Sequence, residues 1–128
     1  MSSVEPLARV QFQTNLNEAP PHMTDTELFA DARELFNSER YWECHEVLEG
    51  KWRTLSGEEK ALVQGIILVC AALVHHQKDE EDTGIGILRR AVGLLVWNDK
   101  KYGGFDVSAM RNNVESILAS GLFSVFRV

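Results

Sequence analysis

Ala61-Leu62-Val63-Gln64-Gly65-Ile66-Ile67-Leu68-Val69-Cys70-Ala71-Ala72-Leu73-Val74 is apolar nearly all round, and Ser56 with Glu59 forms a capping-box pattern just ahead of it. Its length and that cap favour a helix over a buried strand. The longest unbroken apolar run, Ile66 to Val74, is too short to cross a bilayer, so no membrane is expected. A rod that is oily on every side needs other helices around it. The expected fold is therefore all-α, a compact bundle of about five helices with this apolar helix at its centre. Ala61, Gly65 and Ala72 fall near one face, where they would let a neighbouring helix approach closely.

Outward from this rod the other elements follow. Thr24 and Glu27 form a second capping box, opening a helix that carries Leu28, Ala32, Leu35 and Phe36 on one side and runs to about Ser38. A short helix from Tyr41 to about Leu55 follows, closed by a Ser56-Gly57 turn. After the central helix, Lys78 to Asp82 reads as a solvated connection. Thr83 to about Tyr102 reads as a fourth helix with Ile85, Leu88, Ala91, Val92 and Leu95 on one side, ended by Gly103-Gly104. A fifth starts near Asp106, buries Val107, Met110, Val114, Ile117 and Leu118, and stops at Gly121. No strand pairs suggest a sheet and no repeat appears. The organisation is thus a mobile or extended leader over residues 1–23, a helical bundle over 24–121, and an apolar tail over 122–128. The tail is expected to cover the core or to meet another subunit.

The chain has 128 residues, 45% of them hydrophobic and 25% charged, which suits one domain with a core that needs no staples. A net charge of -6 repels phosphate backbones, and the basic residues are scattered singly or in pairs such as Arg89-Arg90 and Lys100-Lys101, so nucleic acid is not an expected partner. Cys44 and Cys70 lack C-x-x-C spacing, and no secretory pattern precedes them. The expected compartment is the reducing cytoplasm, with both thiols packed as small hydrophobes.

Most of the chemistry gathers in Tyr41-Trp42-Glu43-Cys44-His45-Glu46-Val47-Leu48-Glu49-Gly50-Lys51-Trp52-Arg53, where His45, Glu49 and Trp52 form an H-x-x-x-E-x-x-W run. On a helix these positions share a side. Tyr41, Cys44, Leu48, Trp52 and Leu55 form the apolar stripe, which sets His45 and Glu49 at its edge and turns Glu43, Glu46 and Lys51 more toward water. If the Ser56-Gly57 turn makes this helix antiparallel to the central one, Glu49 comes level with Val63 and Gln64. Gln64 is then its expected hydrogen-bond partner.

Besides catalysis or partner recognition, two readings of His45, Glu49, Trp52 and Gln64 stand open. One is a structural hydrogen-bond network between packed helices. The other is a site for a divalent metal or a small polar ligand, with His45 and Glu49 as metal ligands at i, i+4 and a third ligand supplied from elsewhere, by His75, Glu46 or a partner subunit. The H-E-x-x-H signature fails because residue 49 is Glu, and the ferritin-like Glu-x-x-His spacing fails because residue 42 is Trp. Glu49 also stands four residues before Arg53, the spacing of a surface ion pair. His75 and His76 are adjacent and diverge, so one is expected at the last carbonyls of the central helix and the other in solvent.

Phe36-Asn37, the Tyr41 to Glu49 segment, Trp52-Arg53 and Gln64-Gly65-Ile66-Ile67, with Gly86 and Arg90-Ala91 later, resemble the small bacterial and archaeal proteins grouped as domain of unknown function 309. The likeness spans roughly Thr24 to Leu95; Cys44 and Gly50-Lys51 depart from its small or apolar residues. It implies an all-helical bundle and no particular reaction. The catalytic residues, if any, are unassigned. The expectation is a helical-bundle protein with a His/Glu/Trp/Gln polar site, or alternatively a homo-oligomeric or partner-binding module, suggested by Leu122 to Phe126 and by Trp42 at the rim of its helix.

Overall fold

The computed structural model describes residues 24–128, so the expected leader over residues 1–23 lies outside the described residues. Among the described residues five helices follow in order: α1 Asp25–Asn37, α2 Tyr41–Trp52, α3 Gly57–Gln77, α4 Glu81–Val92 and α5 Val107–Ser120. Consecutive helices pack on one another, and α3 packs most extensively, against α2 and α4. Its Leu62, Val63, Ile66, Val69, Cys70 and Ala72 are fully buried, as an all-round apolar helix requires. The fold is the expected all-α bundle about a central helix.

Local chemistry sets the helix ends. Thr24 and Glu27 close their capping box reciprocally, at 2.9 and 3.2 Å. Asp106 caps α5 by accepting from the Ala109 N–H at 2.9 Å, and Gly121 ends that helix in the left-handed conformation with φ 75°. At the end of α1, Arg40 N–H reaches the Leu35 carbonyl and Glu39 N–H that of Phe36, both at 2.9 Å. The end of α3 repeats this with Glu80 to His75 and Asp79 to His76. Both are Schellman closures with Glu39 and Asp79 at φ near 60°, where glycine is usual.

Three expectations change. The Ser56/Glu59 capping box does not form: Ser56 makes no side-chain cap bond, and Glu59 instead accepts from the Tyr102 hydroxyl at 2.6 Å. An acid partly buried beside a phenol gains a shorter, better shielded bond there than at an exposed helix end.

The fourth helix stops at Val92 rather than running to Tyr102. Gly93 weakens it, and the chain turns inward so that Leu95 is fully buried and Leu94 and Leu95 pack against Gly65 of α3. Arg111 holds the turn by donating to the Leu95 carbonyl at 2.7 Å.

A small antiparallel ribbon also appears where no strand pair was expected. β1 (Lys101–Tyr102) and β2 (Phe105–Asp106) pair around Gly103 and Gly104, whose φ of 56° and 82° suit a tight hairpin turn. Tyr102 meets Phe29 and Trp97 edge-on, and Arg33 donates to the Gly103 carbonyl, so the ribbon is fastened to α1. Of the three small residues expected at the α3 face, Gly65 and Ala72 meet neighbours while Ala61 is exposed.

The tail covers the core. Phe126 is buried against Phe36, with ring centroids 5.5 Å apart, and Phe123 stacks on His76 at 4.6 Å and 6°. Asn37 fastens the chain end: its Nδ2 donates to the Val128 carbonyl at 3.1 Å and its Oδ1 accepts from the Val128 N–H at 2.7 Å.

Candidate polar and metal-binding site

Tyr41, Cys44 and Leu48 are buried on the inner side of α2, and Tyr41 meets Phe36 edge-on at 5.1 Å. This stripe fixes the rotation of α2 and leaves His45, Glu46 and Glu49 half-buried at its boundary. His45 Nε2 lies 3.7 Å from Glu49 Oε2, and His45 Nδ1 lies 3.7 Å from Glu46 Oε2. One ligand atom from each of the three residues falls within 4.8 Å of the others. His45 Nδ1 is buried and has no hydrogen-bond partner among the described residues.

Glu46 was expected to face water; instead its side chain is only 19% exposed and completes the group. Its position directly after His45 was the available signal. Adjacent helical residues diverge at their Cβ atoms, but the long Glu46 side chain reaches back to the imidazole.

Trp42 is a neighbour of His45 that was not expected there. Its indole stacks on His45, with ring centroids 5.0 Å apart and planes at 26°, although Trp42 is 58% exposed. The i, i+3 spacing of Trp42 and His45 carried that information.

Trp52 is half-buried against the core, while Gln64 stands differently from expectation. Lys60 lies over the Trp52 ring at 4.3 Å, and Trp52 Nε1 is buried with no hydrogen-bond partner among the described residues. Gln64 is half-buried on α3, and among the described residues no hydrogen bond joins it to Glu49 or His45. Glu49 turns along its own helix instead, 3.8 Å from Arg53 Nη2. An acid at a half-exposed edge gains more from a nearby cation than from a neutral amide across the helix interface.

His75 and His76 do not join this group. Rather than meeting the last carbonyls or water, His75 Nδ1 pairs with Glu80 at 2.6 Å and His76 Nδ1 with Glu81 at 2.9 Å, tying the end of α3 to the start of α4. On the inner face, Cys44 and Cys70 are free, fully buried and 3.6 Å apart. The hydrogen bond with Cys70, together with burial, holds the Cys44 thiol well above the usual thiol range. Burial, reinforced by the charge of Glu39, pushes the Tyr41 phenol up to about 12.

This arrangement offers an imidazole and two carboxylates at one accessible edge, the donor set of a divalent-metal or small-polar-ligand site. Residues 29–86 match the model of the family described as "Domain of unknown function (DUF309)". The matched span runs from α1 into α4 and contains His45, Glu46, Glu49, Trp52 and Gln64. Neither a curated protein nor a solved structure matches the chain. Among the described residues no helix is long and apolar enough to cross a membrane.

Proposed function

We propose that His45, Glu46 and Glu49 bind one divalent transition-metal ion, or a small polar ligand in its place, in a helical bundle of the DUF309 family. The observation that carries this is the convergence of three ligand atoms within 4.8 Å around an imidazole whose Nδ1 has no hydrogen bond among the described residues. One ion takes one ring nitrogen, and at about 2.0–2.2 Å from each ligand it spans the 3.7 Å bite of Nδ1 with Glu46 or of Nε2 with Glu49, the other carboxylate swinging in to complete the set. Mixed nitrogen and oxygen donors favour Zn²⁺, Mn²⁺, Co²⁺ or Fe²⁺ over Ca²⁺.

Three protein ligands leave coordination positions for water or ligand, and Arg53 supplies a cation that the Glu49 carboxylate leaves as the metal arrives. Trp52, with an unbonded indole N–H, walls the site. The reading assigns binding and no reaction. The two free thiols favour a reducing compartment, the cytoplasm.

The test is calorimetric titration of chelator-treated protein with Zn²⁺, Mn²⁺ and Co²⁺. One ion per chain is expected, with Glu46→Gln and Glu49→Gln each weakening it while circular dichroism is unchanged. Protein that stays metal-free and shows no thermal shift with any of the three ions removes the metal reading.

A second reading, a homo-oligomeric or partner-binding surface, is favoured by the exposure of Leu122 (74%) and Val125 (58%) on a tail whose phenylalanines are already consumed by the core. Light scattering of the protein and of a Leu122→Ser/Val125→Ser variant tests it. A monomer in both removes the self-association form.

A further inference from the structure

We infer that Cys44 and Cys70 form a dithiol that peroxide converts to a disulfide joining α2 to α3. The inference is independent of the metal reading and rests on the opposite, buried face of α2. These are the only two cysteines of the chain. They come from helices whose sequence positions differ by 26, yet Cys70 Sγ–H already donates to Cys44 Sγ at 3.6 Å. A disulfide needs about 2.05 Å between the sulfurs, so oxidation must draw α2 and α3 together over the remaining gap.

The chemistry balances with hydrogen peroxide as oxidant. The sulfur of one cysteine attacks a peroxide oxygen, the O–O bond breaks, and water leaves as a sulfenic acid forms. The second sulfur attacks the first, the S–O bond breaks, and a second water departs with the remaining thiol hydrogen. Two thiols and one peroxide thus give one disulfide and two waters. Because the second thiol is held in contact, it meets the sulfenic acid before any external thiol or further peroxide does.

Both cysteines are fully buried, so the resting thiols are shielded and the oxidant enters through local opening of the α2–α3 interface. Oxidation is therefore slow under native conditions and faster at denaturant concentrations below the unfolding transition.

The experiment treats the full chain with hydrogen peroxide and follows thiol titration, intact mass and non-reducing peptide mapping over time. Expected are the paired loss of both thiols, a mass lower by two hydrogens, a Cys44–Cys70 linked peptide in a monomer, and a higher thermal midpoint that returns on reduction. A link between two chains overturns the inference. So does sulfinic or sulfonic acid on either cysteine without a link, or thiol loss that only tracks global unfolding. A Cys44→Ala variant adds a check, since Cys70 without its partner should accumulate sulfenic acid that dimedone traps. If that variant does not fold, the mapping of the unsubstituted protein decides alone.

Discussion

The indole of Trp42 lies against the imidazole of His45, 5.0 Å between ring centroids and 26° from parallel, although more than half of the indole is open to solvent. An exposed tryptophan contributes little to folding, and in the proposed metal site this contact would hold the imidazole in one orientation toward Glu46 and Glu49. Trp42→Ala is expected to change stability by less than about 0.5 kcal/mol. In metal titration the same variant should bind more weakly, by up to about tenfold, with Trp42→Phe restoring most of the loss. Equal affinities in all three proteins would remove the positioning role.

The helix caps separate sequence pattern from formed bond. Thr24→Ala and Asp106→Ala each remove an observed cap and should cost about 1 kcal/mol in urea unfolding. Ser56→Ala removes no side-chain cap bond and should cost less than about 0.3 kcal/mol. A large loss at Ser56 would show that its hydroxyl caps α3 in solution.

Two glycines should respond in opposite directions. A Cβ at Gly65 would lie 3.0 Å from Leu94 Cβ and 3.2 Å from Leu95 Cδ2, so Gly65→Ala should destabilise by about 1–3 kcal/mol. Gly86 has nothing within 4 Å of such an atom and sits inside α4, so Gly86→Ala should stabilise by about 0.5–1 kcal/mol. Denaturant midpoints of the two variants check both signs.

The tail should behave as part of the core. Phe126→Ala empties a site beside Phe36 and is expected to cost about 2–4 kcal/mol. Asn37→Ala releases both polar groups of Val128 and should cost about 1–2 kcal/mol. Amide exchange at Val128 should accelerate in the second variant while the centre of α3 stays protected. Unchanged exchange there would mean that Asn37 does not hold the chain end.

Alkaline pH should weaken the fold through both tyrosines. Burial raises the Tyr41 phenol to about 12, and burial with the Glu59 hydrogen bond raises that of Tyr102 as well. An unfolded tyrosine ionises near 10. The folded state therefore favours the neutral phenols: this contribution is complete below pH 10 and is lost as pH rises through about 12 for Tyr41. Because the Tyr41 hydroxyl has no hydrogen-bond partner among the described residues, Tyr41→Phe should be nearly neutral at physiological pH and should flatten the alkaline loss. Urea unfolding as a function of pH, read beside tyrosinate absorbance, tests the sign. A variant that loses stability as steeply as the parent would assign the alkaline limb to Tyr102 and the Cys44 thiol.

The helical class, the central place of α3, the inward stripes of α1 and α5, and the stops at Ser38 and Gly121 were legible in residue order alone. They depend on period, capping chemistry and glycine, which act within a few residues of themselves. The edge position of His45 and Glu49 was legible for the same reason, since rotation about α2 is set by its own apolar stripe. Four features were decided only by the packed chain: the inward turn after Val92, the Gly103-Gly104 ribbon, the diversion of Glu59 to Tyr102, and the meeting of Cys44 with Cys70. Each depends on contacts between residues that are distant in sequence, for the ribbon those of Tyr102 with Phe29 and of Gly103 with Arg33, and these outweigh a local preference worth about 1 kcal/mol or less. The candidate site divides along the same line. Sequence order put an imidazole and a carboxylate one turn apart, whereas the reach of Glu46, the stacking of Trp42 and the separation of Gln64 depended on which side-chain conformers the finished interface left room for.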